Sequence, residues 1–403
     1  MSRLKDHVLQ VGRIGEETES PEPKAITRLR NTKEYYEAVS ATEALMKEVG
    51  METNVDKVGN LKGVLKGTEP ELKTIALGSH LDTVRHGGIF DGNLGVQSAV
   101  ECIYRLKENG VRLRHNVEIF GFNCEESSSL GGTFGSRAML GLADIEKPGF
   151  EEVLKEYGYT KQDILDSKIE TKNYQSYTEL HIEQGGKLDA EHIQIGIVTG
   201  IVGVNRYKIT AIGESNHAGT TMMPQRKDAL VAMAKLITKI DDLARAYGDS
   251  FVATVGMINV VPGAENVVPG KCEIILEMRH MKKAMYEKFI KEIMDFSKQI
   301  EDIDFTFEEL IEKGSVACNP KMMDCIEDAC KKLAVTHVRM PSGAGHDANA
   351  IAHFMPIGMI FVPSKKGISH SRFEWTEWQD VETGADVLYQ TLLELDKIDE
   401  ITE

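Results

Sequence analysis

The sequence predicts an α/β protein interrupted by an inserted α+β domain, and three observations carry that expectation. Apolar runs ending in polar loops alternate with helical periodicity through the first half of the 403 residues. Near residue 200 the texture changes to alternating strands and long amphipathic helices. Beyond residue 315 the first pattern returns, so the outer domain spans 1–199 and 316–403 around an insert at 200–315.

The elements follow in order. EYYEAVSATEALMKE (34–48) has apolar positions at helical spacing and stops at Gly50. KTIALGSH (73–80) reads as a buried strand opening into a polar loop, and DGNLGVQSAVECIYRLKENG (91–110) as the helix after it. NVEIFGFNCEE (116–126) is a second strand that ends in acids. In such sheets, ligands collect at the carboxyl ends of the strands. The insert reads β-α-β-β-α-β. IVGVNRYKITAIGE and the long helix of 226–248 are followed by FVATVGMINVVPG, KCEIILEMRHM, YEKFIKEIMDFSKQI and DFTFEELIE. Two amphipathic helices can cover one side of an antiparallel sheet of that kind. Helical MMDCIEDACKKLA, the buried strand MPIGMIFVP and a last helix near 376–397 complete the outer domain.

Composition narrows the function. Lys and Arg number 47 against 63 Asp and Glu, a net charge of −16 that repels phosphate backbones and argues against a nucleic-acid partner. No apolar run approaches the roughly 20 residues needed to span a bilayer, and the N-terminus turns polar too soon for a signal peptide. The six cysteines contain no CxxC pair and read as reduced thiols, which points to a cytoplasmic enzyme.

Four segments place metal-ligand residue types at the ends of elements. In GSHLDTVRHGGIFDGNLG (78–95), His80 lies beyond an apolar strand, Asp82 is placed to accept its second ring proton, and Asp91 opens a helix. The alternative is a His-Asp pair with an ordinary helix cap. In NCEE (123–126), adjacent acids after a buried strand suit one metal ligand and one proton-transfer group, or else a solvated strand end. His181 interrupts the apolar stretch of TELHIEQGGKLD, and His370 follows a buried strand and loop in IFVPSKKGISHS. Together His80, Asp91, Glu126, His181 and His370 form an N/O donor set of the sort accepted by Zn²⁺, Mn²⁺, Co²⁺ or Ni²⁺.

The strings GSHLDTV, GGIFDGNLGV, the Glu125-Glu126 pair, HIEQG, NHAGTT, RKDA, SGAGHDA and GISHS run in order from 78 to 371. With them the chain resembles the M20-type binuclear metallohydrolases, in their amidase, hydantoinase/carbamoylase branch. That branch holds N-carbamoyl-L-amino-acid hydrolases, allantoate amidohydrolases and β-ureidopropionases.

The resemblance implies a zinc-peptidase-like catalytic domain and a ferredoxin-like lid that forms the contact of a homodimer. It implies two divalent ions per subunit, Zn²⁺ or Mn²⁺, with Co²⁺ and Ni²⁺ also acceptable. His80, Asp91 and His181 would hold one ion and Asp91, Glu126 and His370 the other, with Asp91 bridging. Asp82 would orient His80, and Glu125 would act as general base. His217, from the neighbouring subunit, would stabilise the oxyanion, while Asn266 and Arg279 grip a small anionic ureido or acyl amino acid. Arg279 suits that role by bidentate pairing with a carboxylate. Gln184 would meet the amide or carbamoyl end, and His346 and Asp347 would shape the site floor.

The implied reaction is hydrolysis of a linear C–N bond in an N-carbamoyl-L-amino acid or a ureido acid such as allantoate. The alternatives are an N-acyl amino acid hydrolase or small dipeptidase using the same centre, and a binding protein that has lost turnover. Three departures from the family pattern bear on the pocket. EESSSLGGTFGSR replaces EEGSRF, Met222 stands where proline is usual, and Glu277 replaces an aspartate.

Overall fold

The computed structural model describes residues 2–248 and 250–402. The chain divides into two compact units, Met1–Gly200 with Ala317–Glu403, and Ile201–Val316. Among the described residues, no helix is long and apolar enough to cross a membrane.

The larger unit is built on a mixed sheet. Its centre is four parallel strands in the order Val117–Phe122, Thr74–His80, Tyr174–Ile182, Ile357–Val362. The last three are buried along their whole length, as expected of parallel strands covered on both faces. Antiparallel strands extend both edges: Leu61–Leu65 and Glu52–Val55 on one side, Ile195–Ile201 on the other. The helix Asn93–Glu108 crosses between the first two parallel strands in sequence and packs with Arg3–Gly12 and Trp378–Leu395. One apolar core joins these helices to the sheet.

All four parallel strands point the same way, so the loops after His80, Phe122, Ile182 and Val362 emerge at one edge. Register sharpens this. Leu77 pairs with Thr178, which sets His80 and His181, each three residues further on, at the same level of neighbouring strands.

The smaller unit places Asp304–Lys313, Gly203–Ile212, Lys271–His280 and Val252–Val261 side by side, all antiparallel. Helices Ala229–Tyr247 and Lys283–Ser297 supply its core together with the sheet face carrying Cys272, Ile274, Leu276 and Met278. Burial along Lys271–His280 alternates residue by residue, the pattern of a strand with one covered face. Asp228 caps the first helix by accepting from the N–H groups of Leu230 and Val231.

Candidate metal centre

Each prospective ligand is delivered by a different part of the sheet edge. His80 ends its strand, and Asp91 lies in the turn before the helix Asn93–Glu108. The residue between Asp91 and that helix, Gly92, has φ +67°, and a Cβ there would lie 2.4 Å from Nδ1 of His80. Only glycine lets the turn close over the imidazole.

The carboxylate of Asp91 is the hub. Its Oδ1 lies 3.4 Å from Nε2 of His80 and 3.1 Å from Nε2 of His181. Its Oδ2 lies 3.2 Å from Nε2 of His370, which is also 3.5 Å from Oε1 of Glu126. Two groups of donor atoms therefore share Asp91: His80, Asp91 and His181, and Asp91, Glu126 and His370. Glu125 flanks them, with Oε2 4.0 Å from Nε2 of His80.

These residues fit divalent cations, and the histidine tautomers give the reason. Nδ1 of His80 is 3.0 Å from the carbonyl of Asp82, and Nδ1 of His181 is 2.9 Å from the carbonyl of Ile182. Donation to those carbonyls puts the ring protons on Nδ1, leaving Nε2 lone pairs aimed at a carboxylate oxygen. The buried Nε2 of His181 accordingly has no hydrogen-bond partner. A cation between nitrogen and oxygen satisfies both.

Charge concentrates on the same carboxylate. Burial raises Asp91, but the facing imidazoles of His181, His370 and His80 outweigh it and hold the carboxyl well below its ordinary value. Burial pushes Glu125 well up, helped by the Glu126 and Asp347 carboxylates, and pushes Glu126 to about 7 with help from Asp91. The hydrogen bond to Asp91 raises His370 to about 9.

Asp82 corrects an expectation. Its backbone carbonyl, rather than its carboxylate, meets the His80 ring at 3.0 Å, with the carboxylate Oδ1 3.7 Å from Nδ1. The carboxylate instead accepts from the backbone N–H of Glu125 (3.1 Å) and Glu126 (3.2 Å). A strand end has two amides to satisfy, and a buried aspartate in the next loop reaches both. Gln184 reaches the same carboxylate: its side-chain nitrogen donates to Oδ2 of Asp91 at 2.9 Å and lies 3.3 Å from Nε2 of His370, while its Oε1 is buried without a partner.

His346 and Asp347 are polar and buried. His346 stacks edge-on against His181, with ring centroids 4.6 Å apart, and its Nε2 is 2.8 Å from Oγ of Ser342. Asp347 accepts from the Ser136 hydroxyl, and its Oδ2 is buried without a partner. Burial, then the neighbouring Glu179, pushes Asp347 to about 8.

His217, Asn266 and Arg279 belong to the smaller unit. His217 is exposed on a two-residue strand paired with Val267–Val268, and the Asn266 carbonyl accepts from Ala218 N–H. Arg226 donates to the carbonyls of Thr221 and Ala218, which explains the arginine of RKDA as the clamp on the His217 loop. Arg279 is tied to Glu277 on its own strand at 2.8 Å.

A sequence model described as peptidase family M20/M25/M40 matches residues 76–394. The chain belongs to that family. As an M20 family member it is 36% identical to the N-carbamoyl-L-amino acid amidohydrolase of Geobacillus stearothermophilus, over 98% of each chain. It is 35% identical to the allantoate amidohydrolase of Escherichia coli K12, over 92% of this chain and 93% of that one. A crystal structure of a hydantoinase/carbamoylase family amidase from Burkholderia multivorans superposes with a TM-score of 0.88 at 29% identity, covering 97% of both chains. Metal binding in this M20 chain rests on the family and on the clustered donors together.

Sequence reasoning passed over Glu374. Its carboxylate is buried and accepts from the N–H groups of Phe90 (3.0 Å) and Asp91 (3.1 Å). It lies 283 residues from Asp91, and its only local sign is a buried-strand loop that goes on past His370.

Proposed function

We propose that this chain is an amidohydrolase that uses two divalent metal ions to cleave the linear C–N bond of an N-carbamoyl-L-amino acid or a related ureido acid such as allantoate. The observation that carries this reading is Asp91, one oxygen facing His80 and His181 and the other facing His370. Relatives named for carbamoyl amino acids and allantoate support the substrate class.

His80, Asp91 and His181 would hold one ion, and Asp91, Glu126 and His370 the other. Zn²⁺ or Mn²⁺ suits this N/O set, and Co²⁺ or Ni²⁺ also fits. When bound, such a pair polarises a scissile carbonyl and lowers the pKa of water. Glu125 accepts the proton of the attacking water and returns it to the leaving nitrogen as the C–N bond breaks. Its buried carboxyl, raised in pKa, is suited to holding that proton between the two events. Asp82 keeps Glu125 in place through its backbone N–H. Gln184, its side-chain nitrogen held by Asp91, leaves its amide oxygen for the carbamoyl end of the substrate, above a floor made by His346 and Asp347.

The outer unit is the catalytic domain and the inserted unit a lid and dimerisation domain. Within the inserted unit, Lys271 pairs with Ile212 and Arg279 with Val204. The loop of His217 and Asn266 therefore leaves one end of a strand, and Arg279 marks the other, about 27 Å away at about 3.4 Å per residue. Within one copy these groups leave opposite ends of the strand. A homodimer resolves this: His217 of a second subunit stabilises the developing oxyanion while Arg279 pairs with the substrate carboxylate in competition with Glu277, and Asn266 adds a polar contact. The edge strand Val252–Val261, with Met257 and Ile258 exposed, offers a surface for that assembly. Six buried, unpaired cysteines suit a reducing cytoplasm.

The test is a panel on metal-reconstituted protein: the N-carbamoyl and N-acetyl forms of one L-amino acid, and allantoate. Ammonia release from a ureido substrate is expected. Cleavage of the acetyl compound with neither ureido substrate consumed would overturn the reading.

A further inference from the structure

We propose that Glu374 is a positioning residue for the metal pair, fastening the loop that carries His370 to the turn that carries Asp91. This rests on the two-ion reading above.

The five prospective ligands are not held equally. His80 and His181 sit in strands with side chains 2% and 1% exposed. The His370 side chain is 50% exposed, lies in a loop beyond the strand Ile357–Val362, and has φ +53°. Left-handed backbone at a non-glycine residue is uphill, so the surroundings must impose it.

Glu374 supplies that constraint. One carboxylate oxygen, Oε1, accepts from the N–H groups of Phe90 and Asp91. The other, Oε2, lies 3.1 Å from Oγ of Ser369, the residue before His370. The same hydroxyl is 3.3 Å from Oδ2 of Asp91, the oxygen that faces His370. The carboxylate thus bridges two loops, one hydroxyl and two amides away from two ligands. Its place is reserved by Gly88: a Cβ there would fall 2.4 Å from Oε1 and 2.6 Å from Cβ of Glu374. The flanking aromatics close the arrangement, with Phe90 edge-on to Trp375.

Glu374 touches no substrate in this scheme. It fastens the exposed His370 loop, whereas the other ion's histidines are held in strands, so its loss should fall chiefly on the ion shared by Asp91, Glu126 and His370 and far less on the ion shared by His80, Asp91 and His181.

The experiment titrates chelator-stripped protein with Co²⁺, followed by visible absorption, alongside the thermal midpoint of the metal-free protein. His370→Ala identifies which of two equivalents belongs to its site. In Glu374→Ala that same equivalent should bind at least about 10-fold more weakly, the usual size of an effect on a ligand's support. The other equivalent should stay within about 3-fold, and Ser369→Ala, a milder change, should move the same equivalent in the same direction. A lowered metal-free midpoint with both equivalents weakened alike would mark Glu374 as merely structural and overturn the proposal. Unchanged Co²⁺ binding in both variants would overturn it too. Wild-type protein that takes up fewer than two equivalents would defeat the two-ion reading itself, and this inference with it.

Discussion

The imidazoles of His80 and His181 stand 5.9 Å apart on neighbouring parallel strands, and both turn Nε2 toward Oδ1 of Asp91. Strand register accounts for the pairing: residues at one level of adjacent parallel strands project from the same face. The backbone carbonyls that hold both Nδ1 atoms fix which nitrogen each ring presents.

Gly92 is the point at which this arrangement is most easily broken. Alanine there would need φ +67° and would drive Cβ into the His80 ring. Gly92→Ala should weaken metal binding by at least about 10-fold and reduce activity in proportion. Metal content after dialysis, set beside circular dichroism to confirm folding, measures it. Full metal retention would mean the turn has room that the geometry denies.

In the proposed reaction Glu125 moves a proton while its neighbour Glu126 holds metal. Glu125→Gln keeps the shape and removes the proton acceptor. The expected loss in kcat is about 10²- to 10⁴-fold, with both ions retained. Metal analysis of the inactive variant decides the role, because an empty site would make Glu125 a binding residue.

Subunit exchange tests the donation of His217. Glu125→Gln and His217→Ala homodimers should each be inactive. If His217 crosses the interface, mixing them creates hybrids with one intact site, and about 25% of wild-type activity returns at equal ratio with random pairing. No recovery, with hybrids confirmed by mass, would place His217 in its own subunit's chemistry or outside it.

Asp347 gives a pH signature. Burial, and then Glu179, lifts its carboxyl from the ordinary 3.8 to about 8. Between those values the folded protein holds a proton that the unfolded chain has released. Stability therefore falls as pH rises through that window, because the unfolded state binds fewer protons. Asp347→Asn keeps a neutral side chain throughout. Denaturation of metal-free protein at about pH 5 and about pH 8 should show a smaller loss in the variant than in wild type. Equal losses would mean Asp347 is ionised in the fold.

The clustering of these donors is legible in the sequence because the prospective ligands stand beside elements with strong signals. His80 and Glu126 follow buried apolar runs, His181 interrupts one, and Asp91 sits before a helix with a clear apolar stripe. The β-α-β-β-α-β order of the inserted unit is legible for the same reason, since its two long helices carry clear apolar stripes between strand-like runs. Other features depend on contacts across the chain. Glu374 meets Asp91 only when the last loop returns to the sheet edge. The choice of the Asp82 carbonyl for His80, with the carboxylate left for two amides, follows from loop geometry that residue types do not encode. The edge strand Glu52–Val55 is mostly exposed and lacks alternation, so no periodicity announces it.

The most direct measurement is anomalous diffraction from crystals of the Glu125→Gln variant loaded with Zn²⁺ or Mn²⁺. Two peaks are expected on either side of the Asp91 carboxylate, about 3.5 to 4 Å apart, one beside His80 and His181 and the other beside Glu126 and His370. A single peak, or metal bound away from Asp91, would contradict the bridged pair.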